Sequence, residues 1–598
     1  MVAVPVRWAF AAVLASLLLG TYGFVINDEQ DQANALYNLA NGSFLIREHA
    51  SQFFPSMGDI QIEPRFPGPA PVGSTLLDAL ALPVVLLVRV ANALMPLPIW
   101  FSGAAALLVW GLLPPAWRTS RSRGLVLVGF VIAAGGFRFA EPDVARFDAV
   151  IALQVTNLAL LGACAGFIAA AIRRHVPSPA ASVATAAVIL GPILFWGSKV
   201  KYTILAVGLV AAALWVVGEP LSRRRSMALA ALAALAVWNN IGPGSVVVAA
   251  VGVLLLVETM KGPRARESWI RLGAAVAVGL LCLVPWGIEN TIASGSPLTP
   301  PYLELDQQVQ SDDGRASRPL PVKILRAALD LDNWHGPKDL AQNIAGAWTT
   351  GHSVQGNPLG VFALSPLLGL SMWTLTRFPW WRRADLRLAA GLVVFQVLLL
   401  SNRAANQGWG LDARLIAPTL PALGLLAGPA LAVLAARMTS GDVRRTWLTA
   451  GVWGFVLAAA LVALAVTRML PYGLKDADLN HDVLVVLTGL TLTLIAFTEI
   501  ARAARLLPQS ARAMAVGLGL ALPVLWTVLA ATVTGSGVPA SNQPDSVTGF
   551  LPLADEFRHR ALPPLFGNYP IPVIFENNLT VYHPSYGYCR TQPSPCPW

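Results

Sequence analysis

Charge is scarce in this chain. Only 12% of its 598 residues are Asp, Glu, Lys or Arg, 55% are hydrophobic, and mean hydropathy is +0.59. A soluble protein of this length needs far more charge to cover its surface. Cysteine is scarcer still, at four residues. Cys164 and Cys282 fall in apolar runs and read as packing residues, and no spacing resembles a zinc site. Cys589 and Cys596 lie in the C-terminal tail, where an oxidising compartment permits a disulfide. No small-residue cleavage site follows the first apolar run, so that run is expected to stay as a span. There is no soluble domain of ordinary size and no convincing internal repeat.

What the chain does contain is apolar segments from end to end, the pattern of a polytopic membrane protein. Fifteen spans are expected, near residues 7–26, 98–116, 124–140, 149–171, 181–197, 202–219, 226–240, 244–260, 270–288, 358–376, 388–402, 414–436, 447–467, 482–499 and 513–534. The run 226–240 is short enough to be re-entrant instead. With the N-terminus cytoplasmic, the inner side carries 23 Lys+Arg against 6 Asp+Glu and the outer side 19 against 26. Arg118/Arg121/Arg123, Arg223–Arg225 and Arg377/Arg382/Arg383 then all lie in short inner loops, as the positive-inside rule requires. The net charge of +10 is therefore topology and does not point to nucleic acid. The expectation is a multi-pass plasma-membrane protein with its C-terminus outside, a membrane domain over 1–534, and an outer tail or small cap over 535–598.

Three long polar stretches fall on the outer side. The first, 27–97, opens with Asp28, Glu29 and Asp31 where an apolar helix leaves the lipid, a costly place for charge. It continues with a short helix at 29–40, a Pro/Gly-rich stretch from Pro64 to Gly73, and an apolar helix at 75–96. Making 75–96 a span would invert every later loop. Asp78 and Arg89 also suit a helix lying at the interface or tucked against the bundle. The second stretch, 289–357, holds Asp306, Asp312, Asp313 and the run Asp330 to His335. The third is the tail, with 11 prolines.

Three outer segments resemble the GT-C superfamily of membrane glycosyltransferases, nearest the branch of protein O-mannosyltransferases and lipid A aminoarabinose transferases. The first is the run from Asp28-Glu29 through an Ala-rich helix to Gly42-Ser43-Phe44. The second is Pro285-Trp286 followed by Glu289-Asn290 and Gly295-Ser296-Pro297, with Glu289 where bacterial relatives carry Arg. The third is Arg414-Leu415-Ile416-Ala417-Pro418-Thr419-Leu420-Pro421, with Leu415 in place of Tyr. The usual Lys-Pro-Pro before the interfacial helix is replaced by Pro69-Ala70-Pro71-Val72-Gly73. The resemblance implies an all-α polytopic GT-C-like bundle with outer loops and interfacial helices. It implies a donor that is a polyprenyl-phosphate-linked sugar and an acceptor that is a glycan, lipid or protein of the cell envelope.

An inverting sugar transfer needs one carboxylate to deprotonate the acceptor hydroxyl as it attacks the anomeric carbon. The leaving lipid phosphate is already stable as an anion, and nearby cations stabilise its developing charge. By the resemblance, Asp28 is the general base and Glu29 orients a substrate or a basic side chain; as residues alone they read equally well as a solvated loop or a helix N-cap. Asp143 is the second carboxylate, with Glu141 and Asp148 as further candidates in the same loop. Mutual ion pairs at a helix junction explain these three equally simply. Arg414, which begins a span, suits phosphate through its planar fork, and Arg403 is a weaker candidate. Lys199 and Lys201 either bind phosphate or snorkel beside Trp196 and Tyr202. His335 and His352 read as surface residues. An acidic outer face permits a divalent metal, and the superfamily has members with and without one. The rival class is a transporter or flippase of lipid-linked sugars or another amphiphile, which would show repeated halves and broken helices near the midplane. A non-catalytic scaffold would have lost the first-loop carboxylates.

Overall fold

The computed structural model of the chain describes residues 4–19, 28–42, 74–112, 148–176, 178–197, 199–217, 221–261, 265–294, 296–298, 348, 361–399, 415–439, 565–566 and 581–582. The expected spans at 124–140, 447–467, 482–499 and 513–534 lie outside the described residues, as do Cys589 and Cys596. The protein is an all-α polytopic membrane protein. Its helices are α1 (Val4–Leu19), α2 (Asp28–Ala40), α3 (Thr75–Leu94), α4 (Leu97–Leu112), α5 (Asp148–Ile172), α6 (Ser178–Val188), α7 (Leu194–Gly197), α8 (Thr203–Val216), α9 (Arg223–Asn239), α10 (Ile241–Lys261), α11 (Ala265–Ser294), α12 (Val361–Leu364), α13 (Leu370–Arg377), α14 (Ala384–Leu399) and α15 (Leu420–Thr439). Among the described residues the only strands are a two-residue parallel pair, Leu565–Phe566 with Val581–Tyr582.

Among the described residues, four helices are long and apolar enough to cross a membrane: Thr75–Leu94, Asp148–Ile172, Ile241–Lys261 and Arg266–Ile292. They occupy different places. The most apolar window of α5 is 61% buried, so α5 is the axis on which α1, α3 and α8 pack; that of α11 is 6% buried. Trp269, Leu280, Leu281, Ile288 and Ile292 on α11 are exposed, as suits a helix facing lipid.

Charge divides the bundle into two ends. At one, arginines satisfy the carbonyls that helices leave unpaired at their C-termini. Arg174, just past α5, donates to the carbonyls of Trp215 and Val217 at the end of α8. Arg271 near the start of α11 donates to Glu258 O in the last turn of α10 at 3.3 Å and to Leu221 O ahead of α9 at 2.8 Å, and Arg387 on α14 pairs with the Glu258 carboxylate at 2.6 Å. His175 meets Asp385 at 2.6 Å, joining the end of α5 to the start of α14. The opposite end holds Asp148, Asn239 and Glu289, and is called here the carboxylate end.

Helix α3 starts and finishes its polar contacts at the carboxylate end. Ser74 caps its first turn, accepting from Leu77 N at 3.2 Å, and bonds Asn239 at the end of α9. Arg89, fifteen residues on, pairs with Asp148 at the start of α5. The helix thus lies against one end of the bundle and does not run to the arginine end, although its length would permit a span. Asp78 and Arg89 are the charged residues through which it is held there.

Two expected spans are interrupted. The segment expected as 358–376 breaks into α12, a 3-10 turn at Pro366–Gly369 and α13. Pro366 disfavours helical backbone at the residue before it, and the Ser365 hydroxyl bonds Ala187 O on α6 at 3.0 Å. The segment expected as 181–197 contains a π turn, Ile189–Ile193, around Pro192. The expected short span 226–240 is a full helix, α9. It doubles back into α10 through Asn240, whose side chain accepts from Gly242 N at 2.9 Å. Gly244 makes that hairpin close, because a Cβ there would sit 2.5 Å from Val237 Cα.

Glycine also sets the approach of α15 to α6. A methyl at Gly424 would lie 2.2 Å from Val188 Cγ2. Gly424→Ala is expected to destabilise the protein by ~1–3 kcal/mol, the usual cost of overpacking. The double variant Gly424→Ala/Val188→Ala should recover most of the loss, read as the thermal midpoint in detergent.

Candidate active site

Helix α2 begins at Asp28, which puts Asp28, Glu29 and Asp31 in its first turn. Carboxylates are favoured there by the free N–H groups of the helix. One turn on, Gln32 fixes α2 to α3. Its side-chain oxygen accepts from Ser74 N at 2.8 Å, and its Nε2 donates to Ser74 O at 3.1 Å and to Asp78 Oδ1 at 2.6 Å. All three residues are buried. Ser74 Oγ donates to Asn239 Oδ1 at 2.7 Å, and Asn239 Nδ2 reaches Tyr202 O at 3.4 Å. The first loop is therefore tied through Ser74 to the ends of α8 and α9.

A second cluster stands one residue along. Thr75 Oγ1 donates to Glu289 Oε2, and Trp238 Nε1 lies 3.0 Å from the same oxygen and 2.9 Å from Thr75 Oγ1. Glu289 occupies the position where the resemblance leads one to expect Arg. In this protein it receives hydrogen bonds and tethers α3 to α11. Asn290 beside it donates to Pro297 O at 3.2 Å, tying the turn at Pro297 and Leu298 back to its helix.

Lys199 and Lys201 sit in the turn between α7 and α8 at this same end. Asn157 on α5 pins the turn, donating to the carbonyls of Lys199 at 2.7 Å and Lys201 at 2.9 Å. Both lysines are buried, at 1% and 0% exposure. A snorkelling lysine keeps its ammonium in water, so this arrangement does not suit it. The Lys201 ammonium lies 4.9 Å from the centre of the Tyr202 ring, close enough for a cation–π contact.

Asp148 is buried and pairs with Arg89 of α3, while its Oδ1 has no hydrogen-bond partner among the described residues. Of the acidic candidates in its loop, this one is an ion pair at a helix junction. Glu141, Asp143, Arg403, Arg414, His335 and His352 lie outside the described residues, and α2 is described at Asp28 and Glu29 only as backbone. The chain next to Arg414 is fixed: Leu415 O accepts from Gln396 at 3.1 Å, and Thr419 Oγ1 donates to Gln396 Oε1 at 2.9 Å. Gln396 is near the end of α14, so this turn also belongs to the carboxylate end. Among the described residues no three of His, Cys, Asp and Glu lie together as metal ligands.

Sequence reasoning missed Gln32, Ser74, Asn239, Thr75 and Trp238 as a connected set. The signal was an amide one turn after Asp28 in an Ala-rich helix, and Trp238-Asn239-Asn240 closing an apolar run.

No family model matches the chain, and no curated protein matches it. Two solved structures do, both crystal structures of ArnT from Cupriavidus metallidurans. The one bound to undecaprenyl phosphate has a TM-score of 0.46 and the apo one 0.44; each is 14% identical and the match covers 96% of this chain and 84% of that one. A likeness at this level assigns neither a family nor an activity.

The Arg89–Asp148 pair gives a direct test of the seating of α3. Arg89→Ala leaves a buried carboxylate without its donor and is expected to cost ~1–3 kcal/mol. Adding Asp148→Asn should return part of that stability, because the buried charge is then gone. Equal midpoints for Arg89→Ala and the double variant would show that the pair does not hold α3.

Proposed function

We propose that this protein is an inverting membrane glycosyltransferase of the GT-C type. It would move a sugar from a polyprenyl-phosphate donor to an acceptor at the outer face of the plasma membrane. One observation carries the reading. Two segments that resemble the superfamily, 28–44 and 285–297, are some 250 residues apart in sequence but meet through α3. The third, 414–421, starts its helix at the same end. Chance matches in an apolar chain would have no reason to converge.

In this reading Asp28 takes the proton of the acceptor hydroxyl as that oxygen attacks the anomeric carbon. The bond to the lipid phosphate breaks, and the phosphate leaves as an anion. Glu29 orients a substrate or a basic side chain, and Asp143, with Glu141 and Asp148 behind it, is the second carboxylate. Lys199 and Lys201, buried at the carboxylate end, would stabilise the charge that develops on the leaving phosphate. Arg414, and Arg403 in the same loop, would hold the phosphate oxygens. The acidic end is proposed to face outside and the arginine end the cytoplasm, with the N-terminus inside and the tail 535–598 outside. A divalent metal would find carboxylates there and is left open by the chemistry.

The second reading, a transporter or flippase for a lipid-linked amphiphile, draws on the interrupted helices. The break at Ser365–Gly369 and the end of α6 touch partway along the bundle, and broken helices are where transporters bind their cargo. Against it, Asp78, Asp148 and Glu289 gather at one end of the bundle, away from that break.

Asp28→Asn keeps the shape of the side chain but removes the base. Sugar transfer in a single turnover, from labelled polyprenyl-phosphate donor to cell-envelope acceptor, should fall on the order of a hundred- to ten-thousand-fold. Glu29→Gln should lose less, and donor binding should survive both changes. Near-normal transfer by the Asp28→Asn protein removes the assignment; if that protein also moves a lipid-linked substrate across liposomes, the transporter reading replaces it. Orientation is checked separately. Asn41→Cys, exposed just past α2, should react with an impermeant thiol reagent on intact cells, and Arg266→Cys, exposed at the arginine end, should react only in inverted vesicles. The reverse pattern would put the site inside.

A further inference from the structure

We infer that Gln32 is a positioning residue for the first-loop carboxylates, an inference that rests on the glycosyltransferase reading of Asp28. Asp28 and Gln32 are four residues apart on α2 and so share a face one turn apart. Gln32 is completely buried and makes three hydrogen bonds in a fixed fork: accepting from Ser74 N, donating to Ser74 O and donating to Asp78 Oδ1. A side-chain amide that pairs with both backbone groups of one residue fixes distance and rotation together, which a single apolar contact cannot do. The residue it grips is itself immobilised, since Ser74 bonds Asn239 and caps α3.

The helix needs such a grip. α2 is thirteen residues long, in the range where an isolated helix is only marginally stable in water. Its buried face includes two alanines, Ala33 and Ala35, with Leu36 as its large apolar residue. Small apolar side chains resist sliding and rotation weakly, because their contacts have little direction. The amide fork supplies that direction one turn from the proposed base. Loss of the fork shifts the first turn of α2 against the rest of the carboxylate end. A displacement of about 1 Å between a catalytic group and its substrate costs on the order of a hundredfold in rate.

The test is a double-mutant cycle on the full-length protein in detergent or nanodiscs, with transfer rate and donor KM measured for wild type, Gln32→Ala, Asp28→Asn and the double variant. Gln32 acting through Asp28 lowers kcat on the order of a hundredfold with donor KM within about twofold, and in the Asp28→Asn background the same change costs less than about twofold. A purely structural role costs the same factor in both backgrounds, or raises KM, and overturns the inference. So does Gln32→Ala with normal kcat. Near-normal transfer by Asp28→Asn alone overturns the glycosyltransferase reading instead, so the two failures are distinguishable. Should Gln32→Ala fail to fold, the near-isosteric Gln32→Glu decides. It keeps the bond from Ser74 N and loses both donations, so kcat falls. Adding Asp78→Asn supplies a donor from the opposite side and restores at least tenfold. A Gln32→Glu protein that is fully active, or one that Asp78→Asn does not rescue, removes the assignment.

Discussion

Ser74 is the residue through which the carboxylate end is assembled. Its N–H and carbonyl are both taken by Gln32, and its hydroxyl donates to Asn239 while capping Leu77. A loop residue at the start of α3 thus joins the helix that carries the first-loop carboxylates to the ends of two bundle helices. The groups involved are buried, so each hydrogen bond replaces a desolvation cost and does not compete with water. The Thr75–Trp238–Glu289 contact next to it extends the junction to α11. With the Arg89–Asp148 pair farther along α3, these contacts fix the orientation of an apolar helix and of the alanine-rich helix bound to it.

The two ends of the bundle solve different problems with charge. At the arginine end, Arg174 and Arg271 reach carbonyls left open at helix ends, and Arg387 reaches the Glu258 carboxylate. These are structural uses, and they agree with the positive-inside pattern of the loops. At the carboxylate end the charges are deeper. Asp78, Asp148, Lys199 and Lys201 are all buried, which is expensive unless each has a partner or a task. Asp78 and Asp148 have partners on α2 and α3. The lysines are held in a turn that Asn157 clamps from α5, and Lys201 lies against the Tyr202 ring.

The sequence made the class legible because membrane spans and positive loops are long-range patterns that tolerate error in any one residue. The helix at 29–40, the helix after Ser74 and the helices from 148 to 294 follow from periodicity, caps and prolines. The interruption at Ser365-Pro366 was readable from the proline; the span expectation overrode it because the flanking run is apolar. The site was less legible. Asp28 stands out as charge beside a span, whereas Gln32 and Asn239 are neutral amides whose importance depends on being buried together. Glu289 appeared as a departure from the resemblance, and only its neighbours Thr75 and Trp238 give it a role. Arg89 and Asp148 were visible as charges, but their pairing depends on how α3 crosses the start of α5.

The most direct test of the account is a structure of the protein with a polyprenyl phosphate bound. The account predicts the phosphate at the carboxylate end, near the first turn of α2 and within hydrogen-bonding reach of Lys199, Lys201 or Arg414. A phosphate held instead among Arg223, Arg224 and Arg225 at the opposite end, or in the interior beside the break at Ser365, would contradict it.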